Sequence, residues 1–267
     1  MRRTAPARRT RRQFLTQTAI IASGGAAGVL SVCPVGAAQS RPARLRAAAF
    51  ERPNRSTKGA QGAERLLSEA GFEVRPFDPS TAPSPDAIDV LVLGSFVSES
   101  EAYKRFMAAH AKALAEFVRG GGVLLQFTQA DQTEPAAPFL PDGLLARRCD
   151  EDVAPLRILV ADHPLLRGLP TTRLTEESRD GEASGAAAPP DGLALVLPSY
   201  LGRPGNWESI AEFRGFRVLM AADAACRRPI LMEAEHGRGR FILTSLYLDA
   251  LHDRVKRRDG VPEQVRR

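Results

Sequence analysis

Two of the four histidines, a pair of carboxylates and the single tryptophan are the side chains whose types could act on a small molecule. Asp131 and Glu134 lie in the polar stretch Thr128-Gln129-Ala130-Asp131-Gln132-Thr133-Glu134, directly after the apolar run Val123-Leu124-Leu125-Gln126-Phe127. Two carboxylates joined by His163 or His236 are the equipment for acid–base work on a sugar, as in a hydrolase or isomerase, if they converge in one cleft. Thr128 and Gln129 add a hydroxyl and an amide that can hydrogen-bond a polar ligand, and Glu235 sits beside His236. Trp207 follows Pro204-Gly205-Asn206 and could be a stacking platform for a sugar ring, though such a residue is more often a packing anchor. His163, His236 and a carboxylate could ligate a metal, but short ligand spacing is missing. The residues therefore name ligand-binding candidates, with no catalytic residue, no cofactor and no metal ligand set assigned.

The elements that must position these groups alternate between strand and helix. Leu45–Phe50 reads as a first strand, and Gly62–Ala70 as a helix ended by Gly71 in a left-handed conformation. Phe72–Phe77 alternates with period two and reads as an edge strand, because Pro76 cannot donate to a ladder. Ile88–Leu93, interrupted only by Asp89, is a near-continuous apolar run of the kind a strand buried on both faces needs. After the polar opener Ser98-Glu99-Ser100-Glu101, apolar residues at spacings of three and four predict a helix out to Arg119, with His110 on or beside its apolar stripe. Gly120-Gly121-Gly122 stops it, and Val123–Phe127 is the next strand. Right-handed crossovers then predict an α/β fold, an open doubly wound, mostly parallel sheet, with ligands at the carboxyl end of the central strand.

Further along, Leu156–Val160 reads as a short strand and Asp162-His163-Pro164 as the start of a turn of helix, with Asp162 as cap. Residues 171–192 read as an exposed insertion. The last third is β-rich, with strands at Leu193–Leu197, Arg217–Ala221, Ile230–Ala234 and Phe241–Leu246. Glu235-His236-Gly237-Arg238-Gly239-Arg240 is a tight hairpin turn. Its Gly-x-Gly is no dinucleotide fingerprint, since it joins two strands and opens no helix.

Composition narrows the partners. Of a formal charge of +6 over 267 residues, six arginines (2, 3, 8, 9, 11 and 12) lie before residue 39, in a segment without Asp or Glu. The remainder is formally neutral, which argues against a nucleic-acid partner. Those arginines belong to a leader with a basic start, a short glycine-diluted apolar stretch from Ala19 to Val35, and small residues Gly36-Ala37-Ala38. The group Arg11, Arg12, Phe14 and Leu15 resembles a twin-arginine export signal, which would make the export machinery a partner, the membrane only a transient one, and the destination periplasmic or extracellular. The expected organisation is a signal peptide at 1–38, a linker at 39–44, one α/β domain at 45–252 and a charged tail at 253–267. Cys149 and Cys226 remain after cleavage, either paired in an oxidising compartment or as separate buried thiols.

Four segments in order, Asp89-x-Leu91-x-Leu93, Phe117-Val118-Arg119-Gly120-Gly121-Gly122, His163 to Pro170, and Glu235 to Arg240 before Phe241–Leu246, resemble the ThuA-like branch of the class I glutamine amidotransferase-like fold. The resemblance covers about residues 45 to 250. It implies a flavodoxin-like sheet and a role in carbohydrate metabolism or in non-catalytic binding by secreted bacterial proteins. An amidotransferase of that family carries a nucleophilic cysteine on the turn after the strand that here is Val123–Phe127, and this turn reads Phe127-Thr128-Gln129-Ala130. The histidine that the ThuA-like branch often has near Phe127 is also missing. Without an activated thiolate, glutamine amidotransferase activity is not expected. An exported domain binding a small molecule, such as a carbohydrate, or a protein partner is the reading that remains, with a sugar-acting hydrolase or isomerase as the alternative.

Overall fold

The computed structural model describes residues 44–51, 62–129, 137–149, 156–167, 172–173, 193–195, 209–222, 228–246 and 248–249. The leader, most of the 171–192 segment, the tail, Asp131, Glu134, Trp207 and Cys226 lie outside the described residues, and so does the side chain of Cys149.

The amino-terminal half follows the predicted alternation. β1 (Arg46–Phe50) leads to α1 (Gly62–Glu69), and Gly71, at φ 85°, turns the chain into β2 (Glu73–Val74). β2 is shorter than the alternating pattern suggested and lies at the sheet edge, ending before Pro76. β3 (Val90–Leu93) is buried at every position. A 3-10 turn (Val97–Glu99) precedes α2 (Glu101–Arg119), whose N-cap is Ser100: its hydroxyl accepts from the Tyr103 N–H at 3.1 Å. Gly121, at φ 114°, then feeds β4 (Val123–Gln126).

In the second half come β5 (Leu145–Cys149), β6 (Leu156–Ile158), β7 (Thr172–Arg173), β8 (Leu193–Leu195), β9 (Ser209–Arg214), β10 (Arg217–Ala221), β11 (Pro229–His236) and β12 (Gly239–Thr244). The Gly237-Arg238 turn joins β11 to β12 as a hairpin, as its glycines predict. The turn of helix predicted near residue 164 is a 3-10 turn at Pro164–Leu166, but its cap is His163, not Asp162: Nδ1 of His163 accepts from the Leu165 N–H at 3.3 Å.

A ten-stranded sheet runs β2-β1-β3-β4-β12-β11-β10-β6-β8-β7. The pairs from β2 to β12 are parallel; every pair from β12 onward to β7 is antiparallel. The fold is mixed α/β, and its β-rich carboxyl-terminal part supplies the antiparallel half. β5 and β9 form a separate antiparallel ribbon.

Strand alternation divides the core. Ala47, Ala49, Val90, Val92, Val123, Leu125 and Ile242 bury against Ala63 and Leu67 of α1. Ala48, Phe50, Leu91, Leu93, Leu124, Phe241 and Leu243 bury against Phe106, Leu114, Phe117 and Val118 of α2. The helices thus cover opposite faces of the parallel half. Ala146 and Ile210, from β5 and β9, join the α2-side core, and a third cluster around Leu219, Ile230 and Leu246 lies under the antiparallel half. Truncating a fully buried Phe106 or Leu124 to alanine costs about 2–5 kcal/mol.

Candidate functional site at the carboxyl edge of the parallel strands

From β1 the chain crosses by α1 on one face to β2, and from β3 it crosses by α2 on the other face to β4. Where the crossovers diverge, between the carboxyl ends of β1 and β3, an open α/β sheet leaves a crevice. Glu51 is the first residue past β1, Gly94 and Ser95 are the first past β3, and Asp249 reaches the same spot from the segment after β12. An added Cβ on Gly94 would stand 3.4 Å from Glu51 Cγ and 3.5 Å from Asp249 Oδ2, so the two carboxyl groups flank this glycine.

Glu51 is held by one carboxyl oxygen and Asp249 by both. Oε1 of Glu51 accepts from the backbone N–H groups of Ala63 and, at 3.0 Å, Glu64 in the first turn of α1. Oε2 is buried and meets no partner. Burial raises the Glu51 carboxyl to about 7 against the pull of those two N–H bonds, and the Asp249 charge adds to the rise. Asp249 accepts from the Ser95 N–H at 2.9 Å and the Ser95 hydroxyl at 2.6 Å. At neutral pH the Glu51 carboxyl is therefore poised to give or take a proton, beside the Asp249 carboxyl group held on Ser95.

Next to this pair, the strand ends present uncharged polar groups. Two residues beyond Leu93, Gln126 and Leu243, which pair in register across β3, β4 and β12, stand Ser95, Thr128 and Ser245, all buried. Among the described residues the buried side-chain oxygens without a partner are Glu51 Oε2, Ser98 Oγ, Tyr103 Oη, Gln126 Oε1 and Ser245 Oγ. Every one of them follows or ends a parallel strand at its carboxyl end, or sits in the first turn of α2. An unsatisfied buried polar group costs about 1–3 kcal/mol, so the gathering of these oxygens at one edge asks for a ligand or water there. Phe96, in the turn after β3, is the only described non-glycine residue with positive φ, at 58°. A bulky residue is rarely held so, and such backbone strain is typical of functional turns.

The residues singled out in the sequence are spread over the molecule. Thr128 and Gln129 do lie at this edge, but the Gln129 amide is engaged within it: Nε2 donates to the carbonyls of Gly94 at 2.8 Å and Phe127 at 3.1 Å, and Oε1 accepts from the Ser98 N–H at 3.1 Å. It clamps the loops after β3 and β4 together. His163 is on the α1 side of the antiparallel half, where its Nε2 donates to Glu233 Oε1 at 3.1 Å while Arg240 donates to Glu233 Oε2 at 2.7 Å. With Nδ1 accepting, Nε2 is the ring nitrogen that carries its proton toward Glu233. Glu235 and His236 lie by the β11–β12 hairpin, at the amino end of the parallel strands, because Arg240 pairs with Val123, the first residue of β4. The His236 ring packs on Phe241 at 5.8 Å, and His110 packs on Phe106 at 5.3 Å. His163 and His236 are thus not brought to the carboxyl edge. Among the described residues, no three His, Cys, Asp or Glu side chains are placed to hold a metal ion, and no helix is long and apolar enough to cross a membrane.

Glu51, Ser95, Gln126, Ser245 and Asp249 are the edge residues that sequence reasoning missed. Glu51, Ser95 and Ser245 each stand within two residues of a strand's carboxyl end, which is a usable signal. Nothing local marks Asp249.

No family model matches the chain, and no curated protein matches it. Among solved structures, an exo-β-1,4-mannosidase, Op5Man5 from Opitutaceae bacterium strain TAV5, superposes at TM-score 0.41 with 16% identity, over 81% of this chain and 34% of that one. A cold-adapted β-galactosidase from Rahnella sp. R3 gives 0.37 and 10% over 82% and 32%, and the cytoplasmic protein STM3548 from Salmonella typhimurium gives 0.38 and 12% over 73% and 85%. The chain spans about a third of the length of the two glycosidases. Superpositions this loose transfer neither topology nor activity, so the site is read from its own geometry.

Proposed function

We propose that the protein is an exported, amidotransferase-like domain that binds a small, neutral, hydroxyl-rich molecule, carbohydrate by class, at the carboxyl edge of its parallel strands. The single observation that carries this reading is the gathering of unpartnered buried oxygens along that edge, Ser245 Oγ among them, next to the buried hydroxyl residues Ser95 and Thr128. The order β2-β1-β3-β4, with helices on opposite faces, supports a flavodoxin-like topology for this half. A turn of Phe127-Thr128-Gln129 after β4 holds no thiol, which supports binding over amidotransfer. Export rests on the Arg11-Arg12-Gln13-Phe14-Leu15 leader motif. The test is calorimetry and thermal unfolding of the full chain with neutral mono- and oligosaccharides. A ligand that binds the folded state raises the midpoint by mass action, and no shift with any saccharide would end this reading in favour of a protein partner.

A second reading, an acid–base enzyme acting on a sugar, is favoured by the Glu51 carboxyl raised to about 7 beside Asp249. A proton donor near neutrality next to a carboxylate is what such chemistry uses. Turnover of a bound saccharide that disappears in Glu51→Gln while binding persists would establish it.

A further inference from the structure

Phe50, Leu93, Gln126, Leu243 and Met232 pair in register across β1, β3, β4, β12 and β11, forming one lateral row on the α2 face of the sheet. Phe50, Leu93, Leu243 and Met232 all belong to the core beneath α2. Gln126 is the one polar member, and its Oε1 is buried with no partner. The strand alternation carries past Leu243 to Ser245, where the Ser245 N–H still donates to Ile230 at 2.9 Å and Leu246 turns to the opposite cluster. Ser245 therefore leaves the same face one step nearer the edge. It is 2% exposed, and its hydroxyl also meets no partner.

A half-buried amide whose Oε1 is buried and unmet, and a buried hydroxyl beside it on the next strand, are costly in an apolar row. Leucine and alanine would fill the same places without leaving a polar atom unsatisfied. We propose that Gln126 and Ser245 form a ligand subsite that reads a neutral hydroxyl-bearing group, in sugars a pair of neighbouring hydroxyls, against the apolar walls of Leu93 and Leu243. Both side chains can donate and accept, which matches hydroxyls. A carboxylate or ammonium in the same place would be desolvated by the leucines with no opposite charge in the row. The inference rests on the reading of the carboxyl edge as a saccharide site and specifies which two side chains discriminate.

The experiment is titration calorimetry on the full chain with D-glucose, D-galactose, D-mannose and their neutral disaccharides, with glucuronate and glucosamine as charged counterparts. It is run on the wild type and on Gln126→Leu and Ser245→Ala, with the unfolding midpoint of each measured in parallel. The expected result is a neutral saccharide whose affinity falls roughly tenfold or more in each variant, as loss of a desolvated hydrogen bond demands, while the midpoint without ligand holds or rises. The charged counterparts are expected to bind at least about tenfold more weakly than the neutral sugar. Unchanged affinity in both variants would overturn the subsite and leave the saccharide reading standing. Lowered midpoints with unchanged affinity would show the two side chains to be structural and overturn it as well. Preferential binding of glucuronate or glucosamine would overturn the neutral class, and no saccharide binding to the wild type would end both the inference and the reading beneath it.

Discussion

Asp249 grips Ser95 with both carboxylate oxygens, Oδ2 on the backbone N–H at 2.9 Å and Oδ1 on the hydroxyl at 2.6 Å, across 154 residues of sequence. This contact ties the segment after β12 to the turn after β3. The segment also crosses the end of β4, where the Thr128 N–H donates to Leu246 at 3.3 Å, and it lies against Gly62 so closely that a Cβ there would be 2.5 Å from the Asp249 carbonyl oxygen. Charge-assisted bonds in a half-buried site are stronger than neutral ones. Asp249→Ala is expected to lower stability by about 1–3 kcal/mol and Ser95→Ala by about 1 kcal/mol. In a double-mutant cycle by urea unfolding the pair should couple by at least about 0.5 kcal/mol. Additive losses would mean that the segment is held by its other contacts.

Glu51 predicts a pH dependence opposite to that of most carboxylates. Its folded pKa of about 7 lies above the ordinary 4.5, mainly because burial penalises the charged form. Among the described residues the groups that face it are Asp249, Glu64 and the α1 N–H groups. A raised carboxyl contributes stability that is fully present below about 4.5 and is lost as pH rises through about 7. The protein should therefore lose up to roughly 3 kcal/mol between pH 5 and 8 from this group alone, as the size of the shift implies. Glu51→Gln, which keeps an oxygen for the α1 N–H groups, should flatten the profile in that window. Denaturant midpoints in a pH series check it, and an unchanged slope in the variant would assign the dependence to other groups.

The parallel half was legible because its strands are buried on both faces and so must be near-continuous apolar runs: Val90–Leu93 is buried at every residue. The ribbon of β5 and β9 was not. Leu145-Ala-Arg-Arg-Cys149 alternates only weakly, with Ala146 and Ile210 inward while Arg147 faces Glu212 across the pair at 3.7 Å. A two-stranded element covering a core needs so few apolar residues that no period emerges. The capping of Pro164–Leu166 was placed one residue early, because aspartate outranks histidine as a cap in general and only the neighbouring Glu233 fixes the His163 ring here. At the site, the loop after β4 was found by the carboxyl-end rule, and Glu51 and Ser95 obey the same rule at strands whose loops, that of Glu51 to Lys58 included, yielded no candidate site. Gln126 was hidden inside a run read as apolar. Asp249 was out of reach of any local pattern.

The Glu233 cluster predicts the acid side of the stability curve. Burial works against the Glu233 carboxylate, but the hydrogen bond from His163 and the positive charges of Arg240 and Arg217 overcome it and hold the pKa below 4.5. A depressed carboxyl contributes stability that is present above 4.5 and is lost as pH falls through the folded value. Arg240→Met should cost about 3–5 kcal/mol, since it strands a buried charge, and adding Glu233→Leu should recover much of that loss. Urea unfolding of the single and double variants distinguishes this from simple loss of packing, in which case the double variant would recover nothing.

The leader motif is tested apart from the fold. Arg11→Lys together with Arg12→Lys keeps the charge of the leader but removes the paired guanidinium groups that a twin-arginine receptor reads. Cell fractionation should find the wild type outside the cytoplasm and the double variant retained inside it, and equal export of both would send the protein by another route.

Gly239 opens β12 where the hairpin abuts the end of α2, and its Gly-x-Gly motif is steric in origin. A Cβ at Gly239 would run into the carbonyl oxygens of Gly122 and Val118, and one at Gly237, already at φ 60°, would strike the backbone of Arg119. Both neighbours are backbone and cannot swing aside, so relief would require moving the hairpin off α2. The Arg238 N–H donates to the Arg119 carbonyl at 3.0 Å and the Arg240 N–H to that of Gly122 at 3.3 Å, and both bonds would be stretched by such a shift. Gly239→Ala is expected to cost roughly 3 kcal/mol or more, the upper range for overpacking, with loss of amide protection along β12 and in the last turn of α2. An equally costly change is not expected at Gly71 or Gly143, where an added Cβ meets nothing within 4 Å and only the positive φ opposes it. Hydrogen exchange across the four positions would show whether the hairpin's glycines serve the close approach of α2, and protection unchanged in Gly239→Ala would remove that explanation.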